Sequence, residues 1–410
     1  MKILMVNKFH YLKGGSEKYY FDLANLLKEH GHEVAFFSMK DDKNIETGCK
    51  EYFVENSDMN SKNPFKALDV IYSKNNEKIM EKALDDFEPD VVHLNNFQRQ
   101  LSASIIKPIK KRNIPIVFTA HDLQAICPNK TMLDSRNNIC EECLNGSYRN
   151  CIKKRCIKNS KLKSMLGAIE NLYYRNKAIY TEKIDKIITP SEFYRKKIIE
   201  YGVNNNKVLA IHNFIDLPKE NEEKTEDYAI YFGRISKEKG IFNLIEALGK
   251  LKNGNLYIAG SGPDEENLKK KVEELNISNR VKFLGYLQKE DLNNYILSSR
   301  FAVLPSIWYD NCPYSVLETL AQGKAILGSN IAGIPELVKD QISGLIFQYD
   351  NIEDLSSKME ILFNDDELIK KLEKNAREQA KEEYDKNIYY KKIINIYEKL
   401  IAGERKWRID

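Results

Sequence analysis

Short apolar runs alternate with amphipathic stretches along most of this chain, and that alternation restricts its fold more than any other feature. Residues 3–6 (ILMV) form a continuous apolar run of strand length, the pattern of a strand buried on both faces. A loop with a Gly-Gly pair follows. Then comes YYFDLANLLKEHG (19–31), with Tyr20, Leu23 and Leu27 at helical spacing and Gly31 as a stop signal. EVAFFSM (33–39) completes a strand–helix–strand unit. VVHL (91–94), IVFTAH (116–121), KIITPS (186–191) and VLAIHN (208–213) continue the series. Strands separated by helices predict a parallel sheet covered on both faces.

At 217–227 (LPKENEEKTED) the chain turns polar and charged, and after it the pattern restarts. Strands are expected at 228–234, 255–260, 281–285, 301–305, 325–328 and 344–349, with helices at 241–251, 263–275 and 289–296 between them. A chain of 410 residues exceeds one hydrophobic core. The expected class is α/β, with two doubly wound domains at 1–216 and 217–384. A Tyr-rich terminal segment (385–410) carries a helix at 385–401. In open sheets of this kind ligands bind beyond the carboxyl ends of the strands, and the loops there are where chemistry is expected.

The composition suits a soluble globular protein. Charged residues make up 30%, yet 64 basic against 60 acidic residues leave a net charge of only +4, which gives no general case for a nucleic-acid partner. No apolar run approaches a bilayer span. The N-terminal MKILMVNKFHYLKGG lacks the long apolar stretch and small-residue cleavage site of a signal peptide. The expected location is the cytoplasm, with the inner face of the membrane as a site within it.

The stretch 305–333 concentrates the candidate chemistry. A strand enters a polar loop bearing Asp310, and a helix opens near Pro313 with Glu318 inside it. A helix N-terminus favours an anion, and two carboxylates beside an anion site fit a ligand with both phosphates and hydroxyls. Gly233-Arg234 and Lys239-Gly240 bracket the first strand–helix turn after residue 228, where a guanidinium fork and an ammonium suit a pyrophosphate. Gly14-Gly15 occupies the equivalent turn of the first domain, where a plain tight turn is the alternative. Gly260-Ser261-Gly262 ends another strand, but Asp264 and Glu265 break the dinucleotide fingerprint, and no GxxxxGK[ST] loop or Asp-x-Asp pair exists. His121 ends a strand and can face a ligand or merely pack. His93 is placed alike, His30 flanks a helix stop, and His10 is unassigned.

Five of seven cysteines fall between 127 and 156. Cys140-x-x-Cys143 is a zinc half-site that Cys127 and Cys156 would complete, against the alternative of a thiol-bearing loop. A run from Arg149 to Lys163 holds seven basic residues and no acid. Such a run is usually a solvated face. Facing anionic lipid, each basic residue would contribute about 1 kcal/mol.

Together these residues resemble glycosyltransferase family 4, the retaining sugar-nucleotide transferases of GT-B fold. YFGRISKEKG (231–240) and PSIWYDNCPYSVLETLAQG (305–323) carry most of the likeness, with GGSEK and TAHD. The cysteine insertion is similar to one in members linked to bacterial surface polysaccharide synthesis. The resemblance implies two Rossmann-like domains facing across a cleft, with the terminal helix crossing back to the first. It implies that Arg234 and Lys239 hold the donor diphosphate and stabilise the leaving group. Glu318 would bind the ribose, and Asp310 the donor sugar hydroxyls. Asn311, Ser315 and Val316 would cradle phosphate and sugar, and His121 would contact the donor sugar. Gly14 and Gly15 would line the reaction centre, Gly233 the phosphate turn and Gly262 the base. Asp310 departs from the family's usual Glu. No catalytic metal is implied. The expected partners are a nucleotide-diphosphate sugar and a glycan or lipid-linked acceptor, with no nucleic acid. A non-catalytic sugar-nucleotide or polysaccharide binder and a GT-B sugar-nucleotide epimerase are the alternatives.

Overall fold

The structure, a computed structural model, describes residues 1–56, 68–219 and 225–404. Residues 220–224 of the charged segment and 405–410 of the terminal segment lie outside them. The chain divides into two compact units, Met1–His212 with Tyr389–Asp410, and Asn213–Ile388.

The first unit is built on a seven-stranded parallel sheet: β1 (Lys2–Val6), β2 (Glu33–Met39), β3 (Lys50–Val54), β4 (Val91–Leu94), β5 (Ile116–Thr119), β6 (Lys186–Thr189) and β7 (Val208–Ala210), in the order β3-β2-β1-β4-β5-β6-β7. Ile3 to Val6 are wholly buried, as a strand covered on both faces requires. Met5 stands opposite Phe36 on one side and His93 on the other. The helix Gly15–Glu29 buries Tyr19, Tyr20, Leu23, Leu26 and Leu27 against the sheet, while Lys18 and Asp22 pair at its surface. Each such buried side chain contributes roughly 2 kcal/mol of burial free energy.

The Tyr-rich helix Lys386–Ile401 explains its own composition. Tyr389 hydrogen-bonds the Tyr19 hydroxyl (2.5 Å), Tyr390 the His32 Nε2 (2.8 Å) and stacks on His30, and Tyr397 the His93 Nδ1. Each ring supplies apolar area and places a hydroxyl on a polar group of the first unit. His30 also bonds the Leu26 carbonyl (2.9 Å), which makes it a structural residue.

The second unit repeats the plan with six parallel strands: β8 (Tyr228–Phe232), β9 (Asn255–Ala259), β10 (Val281–Gly285), β11 (Phe301–Leu304), β12 (Ile326–Ser329) and β13 (Gly344–Phe347). Their order is β10-β9-β8-β11-β12-β13. The helix Ile241–Lys250 turns Leu244, Ile245 and Leu248 into a core shared with Leu256, Phe301, Leu327 and Met359. In both sheets the strand order reverses direction beside the first strand, at β1/β4 and β8/β11. The loops leaving those pairs diverge and open a crevice.

Candidate active site

In the second unit the β8 and β11 loops meet at their crevice. After β8 the chain turns through Gly233-Arg234, makes a short turn at Lys237–Lys239, and enters the helix Ile241–Lys250 through Gly240. Gly240 has φ +69°, and a Cβ there would sit 1.8 Å from the Pro305 carbonyl oxygen. The close approach of the two loops therefore needs glycine. Ile307 N–H also donates to Glu238 O (3.1 Å).

This docking sets Lys239 against Asp310. Lys239 Nζ donates to Asp310 Oδ2 at 2.6 Å, and Ser306 Oγ donates to the same oxygen at 3.0 Å. Lys239 also lies 5.3 Å from the Trp308 ring centre. The Trp308 indole N–H is buried with no acceptor among the described residues. Asp310 is buried and its backbone is held in turn, its carbonyl accepting from Gly333 N–H (3.0 Å). Arg234 is exposed, and its guanidinium pairs with no side chain among the described residues. Pro313 caps the helix Tyr314–Ala321, so Asn311 falls in the entering loop, Ser315 and Val316 in the first turn, and Glu318 one turn further, half-buried. A cation–acid pair thus sits just ahead of a helix start, and Arg234 lies exposed on the same β8 loop as Lys239. Charge of both signs is fixed there without further reorganisation.

Gly262 has a steric reason of its own. A Cβ on it would lie 2.0 Å from Ile235 O, because the β8 and β9 turns run backbone against backbone, with Ile235 N–H donating to Ser261 O.

In the first unit Gly14 caps the helix Gly15–Glu29 with extended backbone, and the place of its missing side chain is open apart from Glu17 Oε2 at 3.8 Å. His121 Nε2 meets Asn95 Oδ1 at 2.9 Å, and its ring packs edge-on to Tyr19. Asn95 Nδ2 donates to Val6 O, which leaves Oδ1 to accept, so Nε2 carries the His121 proton. Burial lowers the His121 pKa to about 4, and the ring is neutral at pH 7. His93 is wholly buried between Thr119 and Tyr397, and burial lowers it to about 3. His10 is also buried, 3.4 Å from Glu51. Both are core residues.

The cysteine segment is a compact insertion with a small hairpin, Leu133 pairing with Ile139. The expected quartet does not converge as a zinc site. Among the described residues no three His, Cys, Asp or Glu side chains gather closely enough to hold an ion. Cys140 Sγ instead accepts from Lys154 Nζ at 3.6 Å, and the Cys156 thiol bonds Cys151, a residue outside the quartet. Burial raises Cys127 to about 12 and Cys143 to about 11, so both thiols carry their protons in the metal-free chain.

Sequence reading missed Ser306, Trp308 and Asn95. Ser306 and Asn95 each lie just past a strand end, and that position was the available signal. Nothing in the sequence marks the Trp308 indole.

Two doubly wound α/β units, with polar loops collected at the switch points, have the GT-B architecture. The family model for Glycosyltransferase Family 4 matches residues 13–219, and that for Glycosyl transferases group 1 matches residues 213–379. The chain belongs to glycosyltransferase family 4 and is a transferase. It is 26% identical over 380 residues to an uncharacterized 42.6 kDa protein in the cps region of Klebsiella pneumoniae, covering 87% of this chain and 92% of that one. It is 29% identical over 219 residues to the Campylobacter jejuni N,N'-diacetylbacillosaminyl-diphospho-undecaprenol alpha-1,3-N-acetylgalactosaminyltransferase, covering 49% of this chain and 59% of that one. The Anabaena protein HepE, solved with UDP-glucose, has the same fold, with a TM-score of 0.70 at 16% identity over 97% of this chain and 99% of that one.

Proposed function

We propose that this chain transfers a sugar from a nucleotide-diphosphate sugar to a hydroxyl of a glycan or lipid-linked acceptor, with retention at the anomeric carbon, in bacterial surface polysaccharide synthesis. The observation that carries the reading is the Lys239–Asp310–Ser306 cluster at the β8/β11 switch point, with Arg234 on the same β8 loop as Lys239. Arg234 and Lys239 neutralise the diphosphate as the glycosidic bond breaks, and the first turn of Tyr314–Ala321 adds its dipole. No divalent metal is then required. Glu318 holds the ribose hydroxyls, while Asp310 orients Lys239 and accepts from a sugar hydroxyl. The anomeric carbon passes through an oxocarbenium-like state. The leaving phosphate takes the proton of the acceptor hydroxyl as that oxygen attacks from the same face.

Two relatives support the biological context. One belongs to a cps region, and the name of the other describes transfer onto a diphospho-undecaprenol-linked sugar. The basic insertion favours a membrane-linked acceptor and a peripheral contact with anionic lipid at the cytoplasmic face. The test is release of nucleoside diphosphate from a panel of sugar nucleotides, with and without acceptor, in the presence of EDTA. Acceptor-dependent release that Arg234→Ala or Lys239→Ala lowers at least a hundredfold is expected. Full activity in either variant, or sugar conversion that needs no acceptor, would overturn the reading.

A further inference from the structure

The β1/β4 crevice of the first unit holds a cavity of about 500 Å³. Lys8 and Lys13 from the β1 loop line it, as do Arg99 from the β4 loop and Lys130, Lys158 and Lys163 from the cysteine-bearing insertion. Glu17 and Asp41 are the acids in its wall. Glu17 is already engaged by Asn7 Nδ2 (3.3 Å) and Ser16 Oγ (3.0 Å). Arg99 is held by Glu170 (3.6 Å) and by the Pro128 carbonyl (2.6 Å).

Lys8 is the telling residue. It is 6% exposed, and among the described residues its ammonium has no hydrogen bond or ion pair, only the Phe9 ring at 5.7 Å. Burial, with the charges of Lys130 and Arg99, lowers its pKa to about 8 against the opposing pull of the Asp122 and Glu17 carboxylates. An ammonium on a largely buried side chain, with no direct partner and with Lys130 and Arg99 close by, gains from an anion in the cavity.

The cavity wall continues into a second feature. Lys163 stands in the first turn of the helix Lys161–Asn176, which Ser160 caps. The solvent face of this helix is apolar: Leu162 is 69% exposed, Met165 42%, Ile169 44% and Leu172 46%. Their spacing of three, four and three places them in one stripe, roughly 15 Å long. Lys161 lies at its start and Arg175 past its end. A stripe of this kind that begins beside a cationic cavity fits one ligand with two chemistries.

We propose that the first unit binds a phosphate-bearing amphiphile, the phosphate or diphosphate in the cavity on Lys8, Arg99 and Lys130, and the hydrocarbon along Leu162, Met165, Ile169 and Leu172. This rests on the transferase reading, because the amphiphile is the carrier of the acceptor hydroxyl. It defines the acceptor as anionic and lipid-linked, and it assigns recognition to residues outside the donor site.

The test uses the full chain without sugar donor and measures equilibrium binding of decyl diphosphate, inorganic pyrophosphate and decyl maltoside. Decyl diphosphate is expected to bind at least tenfold more tightly than either of the others. Lys130→Gln, at an exposed position, and Lys8→Met should weaken both diphosphates at least tenfold and leave decyl maltoside unchanged. Ile169→Gln combined with Leu172→Gln should bring decyl diphosphate down to the level of pyrophosphate. Equal binding of decyl maltoside, or unchanged diphosphate binding in Lys130→Gln, would overturn the proposal. So would displacement of decyl diphosphate by phosphatidylglycerol vesicles, which would assign the site to bulk lipid. These measurements need no turnover, so a chain that failed to transfer sugar would still answer them. Equal transfer rates onto neutral and phosphate-bearing acceptors would refute the inference and leave the transferase reading intact.

Discussion

Lys239 and Asp310 approach to 2.6 Å with both side chains largely buried, so neither can be removed without leaving the other's charge uncompensated. Ser306 holds the same carboxylate oxygen, which fixes where the ammonium points. A donor diphosphate would meet a cation already oriented. Asp310→Asn is therefore expected to lower kcat/KM for the donor about tenfold to a hundredfold, even though it removes no contact to phosphate, at roughly 1.4 kcal/mol per factor of ten. Lys239→Ala should cost at least as much. The double variant should fall short of the sum by about 1–3 kcal/mol, because both changes break one unit. Strictly additive losses in that cycle would show that the pair does not act together. Asp310→Glu tests the shorter side chain: if reach is what Asp is selected for, the longer acid must displace Lys239 and reduce kcat/KM too. The residue types of this site were legible in the sequence because cations after one strand and acids after another are unusual. Their pairing was not, since Lys239 and Asp310 are brought together only by the β8/β11 adjacency. Asp310 was expected to bind sugar hydroxyls alone, and its ion pair adds a positioning task.

At the level of elements, most strands that read clearly are buried on both faces, with β10 at a sheet edge as an exception. β3, an edge strand beside β2, was missed because KEYFV opens on two charged residues and has no apolar run of strand length. The helix Lys161–Asn176 escaped notice for a related reason. Its exposed face is apolar while its buried face holds Ser164, Gly167, Glu170 and Asn171, the reverse of the usual pattern. The cysteine set was read from spacing alone, which does not determine how thiols pair within a folded insertion, where Cys156 bonds Cys151. Turns carry a sharper constraint. Gly240 joins the Lys237–Lys239 turn to its helix, and its Cβ position is filled by the Pro305 carbonyl. Gly240→Ala must push the β8 and β11 loops apart as well as accept a positive φ, a combined cost of about 3 kcal/mol. For a unit of this size that corresponds to a fall of roughly 6–12 °C in Tm. Calorimetry on the variant should show it, together with loss of donor binding, since the same displacement separates Lys239 from Asp310. An unchanged Tm would mean the loops have slack that the 1.8 Å approach denies.

Across the whole molecule, the two units differ in how they respond to acid. All six histidines lie in the first unit, at 10, 30, 32, 93, 121 and 212, and the second has none. Burial lowers the pKa of His10, His32, His93 and His121, so each resists protonation in the folded chain. The sign follows from proton counting. An unfolded histidine takes its proton near pH 6.5, whereas folded His93 does so only near 3. Between those values the unfolded state binds more protons, and stability falls as pH falls. His93 alone should remove about 2 kcal/mol from the first unit on going from pH 7 to pH 5. Its wholly buried position between Thr119 and Tyr397 provides no solvent to soften the effect. Hydrogen exchange at pH 7 and pH 5, corrected for the intrinsic pH dependence of amide exchange, should therefore show protection lost at β1 and β4 but retained at β8 and β11. His93→Gln, which cannot take up the proton, should flatten the response of the first unit. Equal loss of protection in both sheets would trace acid sensitivity to carboxylates common to the two units and would remove histidine burial as its cause.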